Sequence, residues 1–346
     1  MLFKCLINEK YTDFARKNSR VTIFIYNNST LFYTSLYVRQ HAKPTRFDSA
    51  ESWVILSNIE QRIKAKIEAI GTPLKDWNIN IYRGILTGFN DAFIISKSKK
   101  DEILANCRTP EERKKTDEII RPILRGCDIK RYSYEFNDRY LICTFPSLKI
   151  DIEQYPAVKG FLEGFKAKLK QTGEILSKSE INNIIGYAKN HNIDVKEKDL
   201  LTSRKKTRNK WFETQDSINY WEDFYKQKIV WASIGETSYS IIPKNTFLLD
   251  TNYFFSIKNE QRYLLAILNS KLITYWINSE DTPIGNGGAY RHYKYNLERL
   301  PIAKISSAIK EKLSNLLDNQ NYREIDKIIY ILYDINEEEI LFIEAL

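Results

Sequence analysis

Cysteine, histidine and methionine are scarce in this 346-residue sequence, at four, three and one copies. The cysteines (Cys5, Cys107, Cys127 and Cys143) are scattered, without a C-x-x-C pair. That pattern argues against a disulfide framework and fits a reducing compartment. The histidines (His41, His191 and His292) lie too far apart to suggest a zinc ligand set, so no metal site is expected. None of the nine prolines is adjacent to another. This excludes the [N/D/S]-P-P-[Y/F/W] loop with which an adenine methyltransferase holds its extruded base. A glycine-rich F-x-G-x-G turn for a methyl donor is missing, as is the phosphate loop G-x-x-x-x-G-K-[ST]. No apolar run approaches the roughly 18 residues of a membrane span. Lys4, Glu9 and Lys10 interrupt any leader-like stretch, so a cytoplasmic protein is expected. Two acidic-x-Lys triplets, Glu112-Arg113-Lys114 and Asp194-Val195-Lys196, match part of a metal-nuclease pattern. The first reads better as a helix cap and the second as a charged loop, so no catalytic residue is assigned.

What is abundant is positive charge and tyrosine. Lys and Arg outnumber Asp and Glu by 53 to 44, a net charge of +9, and there are 22 tyrosines. A pI near 9.1 suits a polyanionic partner, because each neutralised phosphate releases counterions. A basic surface that is merely solvated reads the same way in composition.

Residues 21–26 and 31–38 form two β-type runs around the turn-like Asn27, Asn28 and Ser29, which predicts a hairpin without a core of its own. From Ser52, apolar residues recur at helical spacing through Leu56, Ile59, Ile63, Ile67 and Ile70, before Gly71 and Pro73 stop the helix. Strands are expected over 92–96, 139–145, 228–234 and 247–257. Thr109, Pro110 and Glu112 announce a helix start. A helix from Pro156 carries Val158, Phe161, Leu162, Phe165 and Leu169 on one face, and another runs from Asn259 to Trp276. The last forty residues read as helices, the final one capped by Asn336 with Glu339. The length prior suggests about two structural units.

Three clusters are candidates for contact with a polyanion. Arg204, Lys205, Lys206, Arg208 and Lys210 place five cations in seven residues and lead directly into Trp211 and Phe212. Tyr290, Arg291, His292, Tyr293, Lys294 and Tyr295 follow a glycine-rich stretch, 285–288. That alternation suits either a groove-entering loop, with an arginine bidentate to guanine, or a strand whose tyrosines pack inward. Arg125, Lys130 and Arg131 suit phosphates, whereas Asp128 beside them suits an ion pair that fixes the turn. The glycines Gly84 and Gly88, with Thr87 and Asn90, read as backbone shaping, with a phosphate-contacting loop as the alternative.

Four segments in order carry a resemblance: 82–95; 121–132; 210–213 leading to 228–231; and 263–270 closed by 297–301. Together, over residues 76–302, they resemble the TaqI-like specificity domain of type IIG restriction-modification proteins and related adenine-specific methyltransferases. Cys127 departs from the usual polar or charged residue, and the polar stretch 172–203 is long for the family. The resemblance implies an α+β fold: a mixed-sheet target-recognition domain with an N-terminal hairpin and linker helix and a C-terminal helical appendage. Residues 1–46 would be the end of a methyltransferase domain, 47–75 a linker helix, 76–302 the recognition domain and 303–346 the terminal helices. The chain would then be a fragment or split subunit that reads double-stranded DNA for a methyltransferase domain or subunit. S-adenosylmethionine would belong to that other part, with no cofactor in this chain. Two alternatives stay open: a specificity subunit acting mainly by docking to a separate methyltransferase, and a divergent, self-sufficient methyltransferase or nuclease.

Overall fold

The computed structural model describes residues 21–23, 43–45, 56–285 and 288–346. Residues 1–57 form one unit and 58–346 another. In the first, the strand Val21–Ile23 pairs antiparallel with Lys43–Thr45, Val21 opposite Thr45. The run at 31–38, the hairpin partner expected from sequence, lies outside the described residues. No helix among the described residues is long and apolar enough to cross a membrane.

The second unit is α+β, as its pattern implied, and is built on two four-stranded sheets. One is fully antiparallel, in the order Tyr239–Ile242, Lys228–Ala232, Asn252–Ser256, Tyr82–Arg83. The other is mixed: Phe247–Leu248 runs parallel to Ile120–Leu124, followed antiparallel by Arg139–Ile142 and Ile94–Ser96. The run expected as one strand over 247–257 is therefore two. Its first part serves the mixed sheet and its second part the antiparallel sheet, with a tight turn at 249–251 between them.

Several helices are likewise shorter than their periodicity suggested. The helix beginning at Pro156 ends at Glu163, and Lys166–Leu169 resumes it. Gly164 sits at the break, where an added Cβ would fall 2.1 Å from the Tyr187 ring. The stretch 259–276 divides into Tyr263–Leu268 and Lys271–Glu280. The Asn269 side chain bonds both N–H and C=O of Tyr239, at 3.0 and 2.9 Å, and Ser270 caps the second helix. The four residues Asn90–Phe93 are a helical turn, so the strand expected from 92 starts at Ile94. The polar stretch that departs from the family pattern contains a helix, Lys178–Asn190. Its start carries the reciprocal Ser177–Glu180 cap, a signal present in the sequence.

The mixed sheet packs under Pro156–Glu163 and Lys178–Asn190 in one apolar cluster. The outer face of the antiparallel sheet packs with Asn58–Ile70, Tyr263–Leu268, Lys271–Glu280 and the tail helices Ser307–Asp318, Tyr322–Leu332 and Glu337–Glu344 in a second. Tyr333 fastens the tail: its hydroxyl accepts from Ala303 N at 2.9 Å and donates to Pro301 O at 2.8 Å. As expected, Asn336 and Glu339 cap the last helix reciprocally. Glu339 also receives Lys66 at 2.8 Å.

Lys228 is the most unusual core residue. It is fully buried at the head of a central strand. Its ammonium donates to Phe224 O at 2.8 Å and Thr246 O at 3.1 Å. Burial pushes its pKa down to about 7, against an opposing pull from Asp223. The unfolded chain therefore holds more protons than the folded one between pH 7 and the ordinary lysine value. The cost of the buried charge is fully present below pH 7 and fades as pH rises. Against Lys228→Met, the wild type should gain stability from pH 7 to 9.5, by up to about 1.4 kcal/mol per pH unit. Urea denaturation of both proteins across that range measures it; parallel curves would refute it.

Candidate nucleic-acid interface

The loop after the edge strand Tyr82–Arg83 is backbone packed against backbone. Gly84 N donates to Asn252 O at 2.9 Å and Ile85 N to Leu248 O at 2.7 Å. A Cβ on Gly84 would stand 2.0 Å from Leu249 O, so no other residue fits without moving the turn. Thr87 Oγ1 donates to Asn90 Oδ1 at 2.6 Å and accepts from Phe89 N at 3.2 Å. The backbone-shaping reading of this loop is the one the geometry follows.

Arg204 requires a correction. It was expected among the DNA-facing cations, but it is only 2% exposed. Its guanidinium donates to Leu169 O at 3.0 and 2.6 Å, Thr87 O at 2.8 Å and Trp211 O at 2.8 Å. It also lies 5.3 Å from the centre of the Phe93 ring, and burial lowers its pKa to about 10. Arg204 thus ties together the Thr87 loop, the Lys166–Leu169 helix and the Trp211 segment. Four hydrogen bonds from its planar fork reach three backbone carbonyls.

The rest of that cluster faces outward. Lys205, Lys206, Arg208 and Lys210 are exposed, and Trp211 is half-buried. Lys166 and Lys170, which the sequence reading overlooked, are exposed beside them. The Lys166 ammonium lies 5.1 Å from the centre of the Trp211 ring, and Arg204 N donates to Lys170 O at 3.0 Å. Salt bridges elsewhere occupy Lys64, Lys66, Lys97, Lys99 and Lys100. Among the described residues none engages these six outward cations.

In the turn at 125–131 the ion-pair reading holds for Arg125. Its Nε and Nη2 reach the Asp128 carboxylate at 3.2 and 3.0 Å. Burial pushes that carboxyl up, but bonds from Arg125 and Asn137 outweigh it and hold Asp128 below the usual carboxylate range. Arg131 is also committed, donating to Asn269 O at 2.5 Å. Both therefore have partners within the fold, Arg125 half-buried and Arg131 itself exposed, and only Lys130 of the three is exposed with no such partner. Tyr132 then turns left-handed, with φ 66°, and stacks on Tyr322 of the tail at 4.0 Å.

The third cluster is a short ribbon. Thr282–Ile284 pairs antiparallel with Ala289–Arg291, which pairs in turn with Ile234–Gly235. Residues 286 and 287, part of the glycine-rich stretch read as a hinge, lie outside the described residues. Arg291 is exposed, Tyr290 half-buried, and Lys294 exposed with Glu298 at 3.4 Å. His292 is buried. Its Nδ1 meets Asp281 Oδ2 at 2.7 Å and its Nε2 faces Gly235 O at 3.2 Å. Glu112, from one of the acidic triplets, accepts from Arg108 N at 2.9 Å and Ala157 N at 3.1 Å, a capping role.

A hub at Thr251 joins these parts. Its hydroxyl accepts from Gly126 N at 2.9 Å and its carbonyl from Ser233 N at 2.8 Å, while His292 N donates to Ser233 O at 3.0 Å. On the other side Asp250 N donates to Ile85 O at 3.1 Å, and Asp216 N, six residues past Lys210, to Leu86 O at 3.3 Å. An unbroken run of contacts therefore leads from the lysine cluster through the Gly84 loop and the 249–252 turn to the ribbon.

The chain belongs to the TaqI-like C-terminal specificity domain family, whose model matches residues 121–302. The first of the four resembling segments, 82–95, lies outside that match. Among solved structures, the chain is similar to the type IIL restriction-modification enzyme MmeI, determined in complex with DNA, at 11% identity and a TM-score of 0.47 over 88% of this chain. It is also similar to the type IIG restriction endonuclease BpuSI, at 12% identity and a TM-score of 0.45 over 82%. The chain spans 39% and 34% of the lengths of those two proteins. No curated protein sequence matches it significantly.

The buried guanidinium generates a sharp contrast. Arg204→Met strips the donors from three carbonyls and should cost about 3 kcal/mol or more, whereas Lys205→Gln should stay within about 0.5 kcal/mol. Urea denaturation of the two variants checks this. Equal stabilities would return Arg204 to the surface cations.

Proposed function

We propose that this chain is the DNA target-recognition part of a restriction-modification protein. In this reading it binds double-stranded DNA in the cytoplasm and presents a short sequence to an adenine-N6 methyltransferase domain or subunit. S-adenosylmethionine would be bound by that partner, in an arrangement of the type IIG kind. The observation that carries the proposal is family membership over 121–302, with outward cations and an exposed arginine ribbon arranged around one hub inside that range. Lys166, Lys170, Lys205, Lys206, Arg208 and Lys210 supply sequence-independent attraction, and Lys130 extends it. Arg291 on its ribbon supplies readout, because the major groove admits a two-stranded β-ribbon and arginine pairs with guanine O6 and N7. One observation favours the docking alternative: Ile331 and Leu341 of the tail helices are 78% and 71% exposed.

The two roles have separable signatures. Neutralising Lys205, Lys206 and Arg208 together should weaken binding to all duplexes alike. It should also flatten the slope of log affinity against log salt by about 0.9 per lost phosphate contact. Arg291→Ala should cost about 1–3 kcal/mol on a duplex enriched from a randomised library and far less on random duplex, with the slope unchanged. Salt titrations by fluorescence anisotropy give both numbers. Affinities indifferent to both changes would reject the reading.

A further inference from the structure

The ribbon bearing Arg291 has almost no core of its own. All three residues of Thr282–Ile284 are exposed, and on the second strand Ala289 and Tyr290 are only half-buried. Two or three strand residues a side are too few to hold a direction in water. Something at the base must do so, and buried polar groups collect there. Asp281 and His292 are 7% and 4% exposed and stand directly before the first ribbon strand and after the second. Besides His292 Nδ1, the Asp281 carboxylate receives Asn296 Nδ2 at 2.7 Å and Tyr293 N at 3.3 Å. Asn296 Nδ2 also reaches Glu280 O at 2.8 Å. His292 spends its other ring nitrogen on Gly235 O of the third strand.

A histidine–aspartate pair poised for proton transfer would leave Nε2 free toward a substrate. Here that nitrogen faces a backbone carbonyl, so the pair is spent on structure. It knots together the end of the Lys271–Glu280 helix, both ribbon strands, the strand Ile234–Gly235 and the start of the Lys294–Arg299 helix. Ile234 lies opposite Arg291 in register, and Ser233 just before it bonds the Thr251 hub. The knot therefore fixes the direction of the ribbon relative to the rest of the interface.

The geometry points to Asp281, His292 and Asn296 as positioning residues for sequence readout: they aim Arg291 without touching DNA. This rests on the DNA-reading role proposed above. A site needs its supporting shell held to about 0.5 Å, which explains why a buried acid is kept at the root of an exposed ribbon.

The test pairs His292→Gln, which keeps a donor near Gly235 but abandons Asp281, with His292→Asn, which keeps a donor near Asp281. Hydrogen exchange of the intact chain without DNA should accelerate at least tenfold over the described residues of the ribbon in His292→Gln. Exchange should be restored in His292→Asn and unchanged in the mixed sheet. On DNA, His292→Gln should lower the preference for the enriched duplex over random duplex about tenfold while leaving the salt slope alone. Adding Arg291→Ala to it should then have little further effect, because coupled residues are not additive. Unchanged exchange in the ribbon, or fully additive losses of preference, would overturn the positioning role. If the wild type preferred no duplex while His292→Gln still loosened the ribbon, the DNA-reading proposal would fall and the knot's hold on the ribbon would stand. Should His292→Gln not fold, Asn296→Ala removes one donor from Asp281 and must shift both readouts in the same direction.

Discussion

Everything on the interface side hangs on one close approach of main chain to main chain. Three residues, Leu249 to Thr251, carry the polypeptide from the mixed sheet into the antiparallel one. The carbonyls of Leu248 and Leu249 stand so near residue 84 that only hydrogen fits in the side-chain position. The hydrogen bonds on either side of that contact lock two sheets at a corner that apolar packing alone would leave free to pivot. The lysine cluster, the acidic-capped turn and the ribbon each bond to one side of this corner. Their mutual placement therefore rests on this backbone corner together with the buried side chains of Arg204 and His292 and the Thr251 hydroxyl.

Much of this was legible in the sequence, and the failures share a cause. Apolar periodicity located most of the longer helices and the strands Ile94–Ser96, Arg139–Ile142 and Lys228–Ala232, because a helix or strand must bury one face and so writes its period in the chain. It gave no strand at Tyr82–Arg83, Ile120–Leu124 or Tyr239–Ile242. It overran at Gly164, at Asn269 and at residues 249–251, where the apolar pattern continues but the chain changes direction. In each case the break is set by a distant partner: the Tyr187 ring, the Tyr239 backbone and the Gly84 loop respectively. The helix Lys178–Asn190 was passed over because its surroundings are polar, although its capping pair is visible in the sequence.

The candidate interface was legible in part for a related reason. Charge marks a segment as basic but does not say which of its cations turn inward. Arg204 looks like its neighbours in sequence and differs from them in facing three carbonyls. Arg125 beside Asp128 announced its own alternative, and the structure shows that ion pair. Lys166 and Lys170 went unnoticed because they belong to a helix whose apolar face drew the attention. Only the fold sets them next to residue 205.

The stack of Tyr132 on Tyr322 has a consequence for how such modules can be exchanged between proteins. The family match closes at residue 302, yet the left-handed residue that ends the Arg125–Arg131 turn rests its ring on a helix twenty residues beyond that limit. The apolar cluster beneath it continues to Ile343. The unit of recognition and the unit of folding thus have different borders. A graft cut at the family boundary would carry the loops around the hub but leave behind the floor on which one of them stands. A transplant meant to move specificity has to take the terminal helices along as part of the cargo.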